Sequence, residues 1–177
     1  MLQPYNSNNF YFFVMRGIPG CGKSSFTRDY MTKISNVIES DIIREKISGR
    51  TVENGREYIS QLNNETVWKE IFNQLEKSLE LHKSTTIDAT NINVWQLKNY
   101  EKLANKYGAE LIIIDFSDVS LSEAKIRNSL RLPEYKRVPD NVIERMYRNL
   151  LKQNSNMYSF RALHNHNEIL YWLKEII

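Results

Sequence analysis

Between Gly17 and Ser24 the chain reads Gly-Ile-Pro-Gly-Cys-Gly-Lys-Ser, which fills every fixed position of the phosphate-binding loop pattern G-x-x-x-x-G-K-[ST]. No other stretch constrains the fold as tightly. An apolar run from Phe10 to Met15 precedes it and a helix-forming stretch from Ser25 to Met31 follows. Strand, glycine loop and helix together are the context that gives the pattern a mechanism. Gly17, Gly20 and Gly22 let the backbone curl so that successive N–H groups, including those of Cys21 and Ser25, line an anion cradle at a helix start. Lys23 then reaches the β- and γ-phosphates of a triphosphate, and the Ser24 hydroxyl is the expected Mg²⁺ ligand. The expected ligands are therefore ATP or another nucleoside triphosphate, with Mg²⁺.

A chain of 177 residues suits one domain, 1–177. Its net charge of +3 permits a polyanionic partner without requiring one. Cys21 is its only cysteine, so an internal disulfide and a cysteine-rich zinc cluster are both excluded. Cys21 reads as a small loop residue rather than a nucleophile. Met1 to Asn9 lacks a signal-peptide pattern and no apolar run reaches membrane-spanning length, so a cytoplasmic protein without membrane attachment is expected. His82, His164 and His166 are too scattered for a metal site and read as surface residues.

Further along, Val37-Ile38 is a candidate strand ending in Glu39-Ser40-Asp41, and Ile42 to Ile47 a short helix broken at Gly49. Arg50 to Ser60 reads as a loop or irregular connection. Val67, Ile71, Leu75 and Leu79 recur at every fourth position, predicting an amphipathic helix from Asn63, with Trp68 and Phe72 in its core-facing stripe. Thr85 to Ile87 predicts a strand ending at Asp88, Val94 to Tyr107 a helix capped by Gly108, and Leu111 to Phe116 a buried strand. Leu121 to Leu130 and Val142 to Leu151 read as helices around a proline-punctuated loop, Arg131 to Pro139. Ile169 to Leu173 is strand or helix. Strands alternating with helices predict an α/β fold of three layers, a parallel β-sheet of about five strands flanked by helices. Ligands on such sheets bind at the carboxyl ends of the strands, where Gly17, Asp41 and Asp88 all fall.

Three groups of residues could carry chemistry there. Asp41 and Arg44 lie one helical turn apart, either a proton acceptor beside an anion binder or a helix cap with a surface arginine. Asp88-Ala89-Thr90-Asn91 leaves a strand end, able to orient polar groups or to form an Asx-turn. Arg127 and Arg131 share a predicted helix face ahead of Lys136 and Arg137, either an arginine-bearing lid or a solvated basic turn.

In this order the segments resemble the kinase domain of the phage-type polynucleotide 5′-hydroxyl kinases, end-healing enzymes of RNA and DNA repair. The resemblance runs from about Phe13 to Lys152. It is carried by Gly17 to Ser24, Ser40-Asp41-Ile42-Ile43-Arg44, Asp88-Ala89-Thr90-Asn91, Arg127 to Arg131, and Val138-Pro139 leading into Arg145-Met146-Tyr147. It implies an adenylate-kinase-like P-loop kinase fold and an ATP-dependent transfer to the 5′-OH end of RNA or DNA. Asp41 would be the general base and Arg44 would bind the phosphate on the 3′ side of the acceptor nucleotide. Asp88, Thr90 and Asn91 would support the acceptor, and Lys23, Ser24, Arg127 and Arg131 would serve ATP·Mg. Ser40 departs from the arginine that precedes the family's catalytic aspartate, and the segment from Arg131 to Val138 is slightly longer. The family's phosphatase motif, Asp-x-Asp-x-Thr, does not occur in the sequence, so a separate ligase or phosphatase partner is implied. A P-loop kinase of small hydroxyl acceptors, and an idle nucleotide-binding module of a repair complex, fit the same loop.

Overall fold

The computed structural model describes residues 10–153, 161–163 and 166–176. The chain opens with β1 (Tyr11–Arg16), the phosphate loop and α1 (Lys23–Asp29), then a 3₁₀ turn, Met31–Lys33. There follow β2 (Asn36–Glu39), α2 (Ser40–Ser48), a hairpin of β3 (Arg50–Glu53) and β4 (Arg56–Ile59), and α3 (Asn64–Glu80). β5 (Thr85–Asp88), α4 (Val94–Tyr107), β6 (Glu110–Asp115) and α5 (Leu121–Ser129) lead to a second 3₁₀ turn, Glu134–Lys136. The chain then forms α6 (Asp140–Gln153), β7 (Arg161–Leu163) and α7 (His166–Ile176).

Five strands form one sheet in the order β2-β5-β1-β6-β7, all parallel. Alternation along the central strands fills both faces. Phe12 and Val14 of β1, with Leu111 and Ile113 of β6, join the core under α3 and α4. Phe13 and Met15, with Ile112 and Ile114, join the opposite core beside Phe26 of α1 and Trp172 of α7. The fold is thus the expected three-layer α/β arrangement. A third, smaller core of Ile18, Cys21, Ile92, Ala124, Ile143 and Leu150 seats α5 and α6 against the loops at the carboxyl edge. No helix is long and apolar enough to cross a membrane among the described residues.

Most elements fall where the pattern of apolar residues puts them. Val67, Ile71, Leu75 and Leu79 are fully buried, while Trp68 and Phe72 pack on their flank and stay partly exposed. Gly108 ends α4 in the left-handed conformation, φ 73. One expectation needs correction, and one open choice between strand and helix is resolved. Arg50 to Ser60 is not irregular: Asn54 and Gly55, both at positive φ, close an antiparallel hairpin pairing Glu53 with Arg56, the turn that an Asn-Gly pair favours. Ile169 to Leu173 is helical, within α7, and the fifth strand is the short Arg161–Leu163 ahead of it. Among the histidines, His82 is exposed as expected. His164 lies outside the described residues.

Two bonds tie β1 to β5 just beyond the strands. The Gly17 N–H donates to the Thr90 carbonyl at 3.0 Å. The Asn91 amide donates to the Met15 carbonyl at 2.7 Å and its oxygen accepts from the Tyr100 hydroxyl at 3.0 Å. Asn91 is fully buried at φ 46, a left-handed position that asparagine tolerates better than most residues. Both polar atoms of its side chain are thus engaged within the protein. Asn91→Ala leaves a buried carbonyl and hydroxyl without these partners. Urea unfolding is expected to show a loss of about 2–4 kcal/mol, and a loss below about 1 kcal/mol would contradict the structural role.

Candidate functional site

β1 delivers the glycine loop at the carboxyl edge of the sheet, where β5 and β6 flank it on either side. Gly20, at φ 85, has no room for a side chain: a Cβ there would lie 2.1 Å from the Ala124 carbonyl oxygen. The loop is therefore clamped against α5 by its lack of a side chain. Lys23 folds back over it and donates to the carbonyls of Gly17 and Ile18, each at 2.9 Å, with Cys21 Sγ at 3.3 Å. Its ammonium is buried and is held at the loop's centre, with acceptors that a phosphate oxygen can replace. Cys21 is buried within the loop. Ser24 and Ser25 are exposed on the first turn of α1.

The strand ends bring the carboxylates to the same place. Glu39 pairs in register with Asp88, and Asp88 with Met15. Burial pushes the Asp88 carboxyl above the ordinary aspartate range. Lys23 and the hydrogen-bonded Ser24 hydroxyl pull it back, and Asp41 adds to the rise. Glu39, half-buried, is likewise raised, first by burial and then by Asp88, while Lys136 opposes. Glu39 was not anticipated as a site residue; its signal was its position as the last residue of a strand, two before Asp41. Asp88 and Ser24 together offer hard oxygen donors of the kind a divalent magnesium ion takes alongside phosphate oxygens, so the Mg²⁺ expectation fits these residues. Among the described residues no group of three or more His, Cys, Asp or Glu is arranged to hold a metal.

Asp41 opens α2 and Arg44 follows one turn later. Arg44 is buried, and its Nη1 has no hydrogen-bond partner. Burial lowers its pKa, with Asp41 opposing. A buried guanidinium nitrogen left without an acceptor is rare, because desolvating it is costly. Arg131 approaches from the lid, its Nη2 3.5 Å from Asp41 Oδ2.

The lid is built by side chains that bond to backbone. The Asn128 amide both donates to the Val138 carbonyl, at 2.8 Å, and accepts from its N–H, at 3.0 Å. Arg137 donates to the Arg131 carbonyl at 3.0 Å, so it shapes the lid rather than facing the site. Arg127 lies over the loop, Nη1 3.5 Å from the Cys21 carbonyl, braced by Glu123 at 2.8 Å. The hairpin grips the lid from the other side: the Arg50 guanidinium sits 3.6 Å from the Tyr135 ring centre and is bonded to Glu45 and Glu57. Arg50 was also not anticipated, since Tyr135, which it stacks on, is distant in the chain. Thr90 is half-buried and contributes the carbonyl that holds Gly17. Lys23, Ser24, Asp41, Arg44, Asp88, Arg127 and Arg131 are thus gathered at one edge, while Asn91 lies beneath it.

Beside the loop is a cavity of about 410 Å³ lined by Gly22, Ser25, Phe26, Tyr30, Phe116 and Arg127, among others. Aromatic walls next to a phosphate cradle suit a nucleoside attached to that phosphate.

This is the site of a P-loop phosphotransferase-like domain. Residues 12–152 match an AAA domain family, and the chain belongs to it. No curated protein matches the sequence. Among solved structures, the chain is similar to a chain of the Pnkp1/Rnl/Hen1 RNA repair complex, at 22% identity and a TM-score of 0.69 over 91% of this chain and 51% of that one. The sequence thus spans about half the length of that relative. It is also similar to a gluconokinase from Sinorhizobium meliloti 1021, at 14% identity and a TM-score of 0.59 over 95% and 94% of the two chains. Kti12 of Chaetomium thermophilum, bound to ADP-AlF3, aligns at 12% identity with a TM-score of 0.60 over 93% and 96%. At these identities the likeness is one of fold.

Because the folded form holds the Asp88 proton more tightly than the unfolded chain, ionising Asp88 costs stability. That cost is absent below the unfolded value of 3.8 and complete once the pH passes the folded one. Asp88→Asn is therefore expected to be more stable than the parent at neutral pH without nucleotide, with the advantage shrinking as pH falls towards about 4. Thermal melts across that range test it; an Asn variant less stable at neutral pH contradicts it.

Proposed function

We propose that this chain is an ATP-dependent polynucleotide 5′-hydroxyl kinase. The observation that carries the reading is the pair on α2: an aspartate at the lid contact, and one turn away a buried arginine with an unpartnered nitrogen. A proton acceptor beside a preformed anion site suits a hydroxyl whose own molecule carries a nearby phosphate, which is the chemistry of a polynucleotide 5′ end.

In this reaction Asp41 accepts the proton of the attacking 5′-hydroxyl as its oxygen bonds to the γ-phosphorus. The bond from that phosphorus to the β,γ-bridging oxygen breaks, and ADP leaves. Lys23 exchanges its contacts with the Gly17 and Ile18 carbonyls for phosphate oxygens. Arg127 and Arg131 neutralise charge that builds on the transferring group. Arg44 holds the phosphate on the 3′ side of the acceptor nucleotide, and Asp88 orients Ser24. Mg²⁺, held by the Ser24 and Asp88 oxygens with the triphosphate, would supply charge neutralisation at the phosphates.

A second reading is a kinase of small hydroxyl acceptors. It is favoured by the near-complete mutual coverage with the gluconokinase fold, 95% and 94%. Incubation with γ-labelled ATP, Mg²⁺ and either a 5′-OH oligonucleotide or a panel of sugars and nucleosides separates the two. Label on the oligonucleotide supports the first, label on small acceptors alone supports the second, and label on neither leaves a nucleotide-binding module. Asp41→Ala is expected to lower oligonucleotide phosphorylation by at least about a hundredfold with ATP affinity nearly unchanged. Arg44→Ala should raise KM most for acceptors bearing a 3′-phosphate and much less for those without one. Equal losses on both acceptors would contradict the role given to Arg44.

A further inference from the structure

Trp95 stands about half exposed, at 49%, in the first turn of α4. Its ring meets that of Trp68 of α3 edge-on, with centres 6.1 Å apart. Both helices run back from the carboxyl edge of the sheet, and both tryptophans lie near their N-terminal ends. The pair therefore sits at the edge that carries the candidate site. Exposed cations flank it. Lys98 and Lys102 follow Trp95 on the same face of α4. On α6, Arg145, Arg148 and Lys152 are exposed at spacings of three and four, a stripe ~10 Å long. Among the described residues, Lys98, Lys102, Arg145 and Arg148 form no ion pair. Glu101 lies on the flank of α4 with a partner of its own, and Glu144 of α6 is taken by Lys125.

The two helices meet at the point that matters. Gln153 Oε1 accepts the Val94 N–H at 3.0 Å, so the basic stripe ends next to the turn that carries Trp95. The other end of α6 leaves the lid that holds Arg131. Cations thus lead from the lid to an aromatic pair.

We propose that this surface holds the single-stranded nucleic acid that trails from the acceptor end: its phosphates run along Arg145 and Arg148, and a base stacks on Trp95 against Trp68. The proposal rests on the polynucleotide reading above. Charge complementarity favours a polyanion over a protein partner, and a flat aromatic face is tolerant of base identity. Affinity there is largely sequence-independent and falls steeply with salt.

The test separates binding from chemistry. Fluorescence anisotropy of a labelled 5′-OH oligonucleotide of about a dozen nucleotides is measured with the intact chain across a salt series. Trp95→Ala is expected to weaken binding by about 5- to 100-fold, with Trp95→Phe restoring most of it. Replacing Arg145 and Arg148 with serine should flatten the slope of log affinity against log salt by about 1.4. In kinase assays Trp95→Ala should raise KM for the long acceptor and leave kcat and the use of a nucleoside 3′-monophosphate unchanged. Binding within about twofold of the parent in Trp95→Ala, with an unaltered salt slope in the double variant, overturns the proposal and returns the face to solvent or to a protein contact. Trp95-dependent binding without any phosphorylation of 5′-OH ends supports this surface and overturns the kinase reading. Normal phosphorylation with Trp95-independent binding does the reverse.

Discussion

The site exists because two strand ends are locked together by three atoms of backbone and one amide. Gly17 donates to Thr90, and Asn91 donates back to Met15. Each bond crosses from β1 to β5 just past the last ladder pair, Met15 with Asp88. The crossing fixes where the glycine loop begins and where Asp88 ends, so the Ser24 hydroxyl and the Asp88 carboxyl meet. It also fixes the start of α4, through the Tyr100 hydroxyl on Asn91. A loop that must present its N–H groups inward cannot bond to itself extensively. Its rigidity has to come from outside, and β5 together with the Ala124 backbone supplies it.

Gathering acids and cations at one sheet edge has an energetic consequence. Asp88 and Glu39 are both held above their ordinary titration range, with burial as the first cause, and Arg44 is held below its own. All three shifts disfavour the charged forms. Charge at this edge is therefore incompletely compensated within the protein, and on the proposed reaction a ligand that carries charge of both signs relieves it. An anion on Arg44 and Lys23, with a cation beside Asp88, would satisfy groups that the protein leaves short. A fold that spends stability in this way concentrates the cost at its functional edge.

Sequence alone made the architecture legible wherever periodicity is strong. The fourfold repeat from Val67 to Leu79, the continuous apolar run of β6 and the fixed positions of the glycine loop each leave one economical solution. It also made the placement of Asp41, Arg44 and Asp88 beside the loop legible, because a strand end next to such a loop is a defined place. The remainder was hidden for physical reasons. β3 and β4 carry Arg50, Glu53, Arg56 and Glu57, which form a charged two-stranded ribbon with little apolar alternation; only Asn54-Gly55 betrays it. β7 is three residues long and owes its existence to pairing with Ile112 to Ile114, a tertiary cause. Asn91 follows the polar Asp88 and Thr90, and nothing local reveals that its amide reaches back to the Met15 carbonyl. Arg50 and Tyr135 are joined only once the hairpin folds against the lid.

That last contact bears on how Asp41 becomes free to act. Arg131 holds Asp41 at 3.5 Å across a partly exposed gap, with the aspartate side chain 46% accessible. Such a pair is worth little, on the order of 0–1 kcal/mol. The position of Arg131 is set instead by Asn128 on Val138, by Arg137 on the Arg131 carbonyl, and by Arg50 stacked on Tyr135. The backbone that carries the arginine is thus fixed while its guanidinium is not. On the proposed reaction an arriving triphosphate can take the guanidinium from Asp41 at small cost and without moving the lid. The same exchange leaves the aspartate unpaired at the moment a hydroxyl proton needs an acceptor. A stronger ion pair, or a lid ordered only by that pair, would have tied release of the base to collapse of the arginine's support.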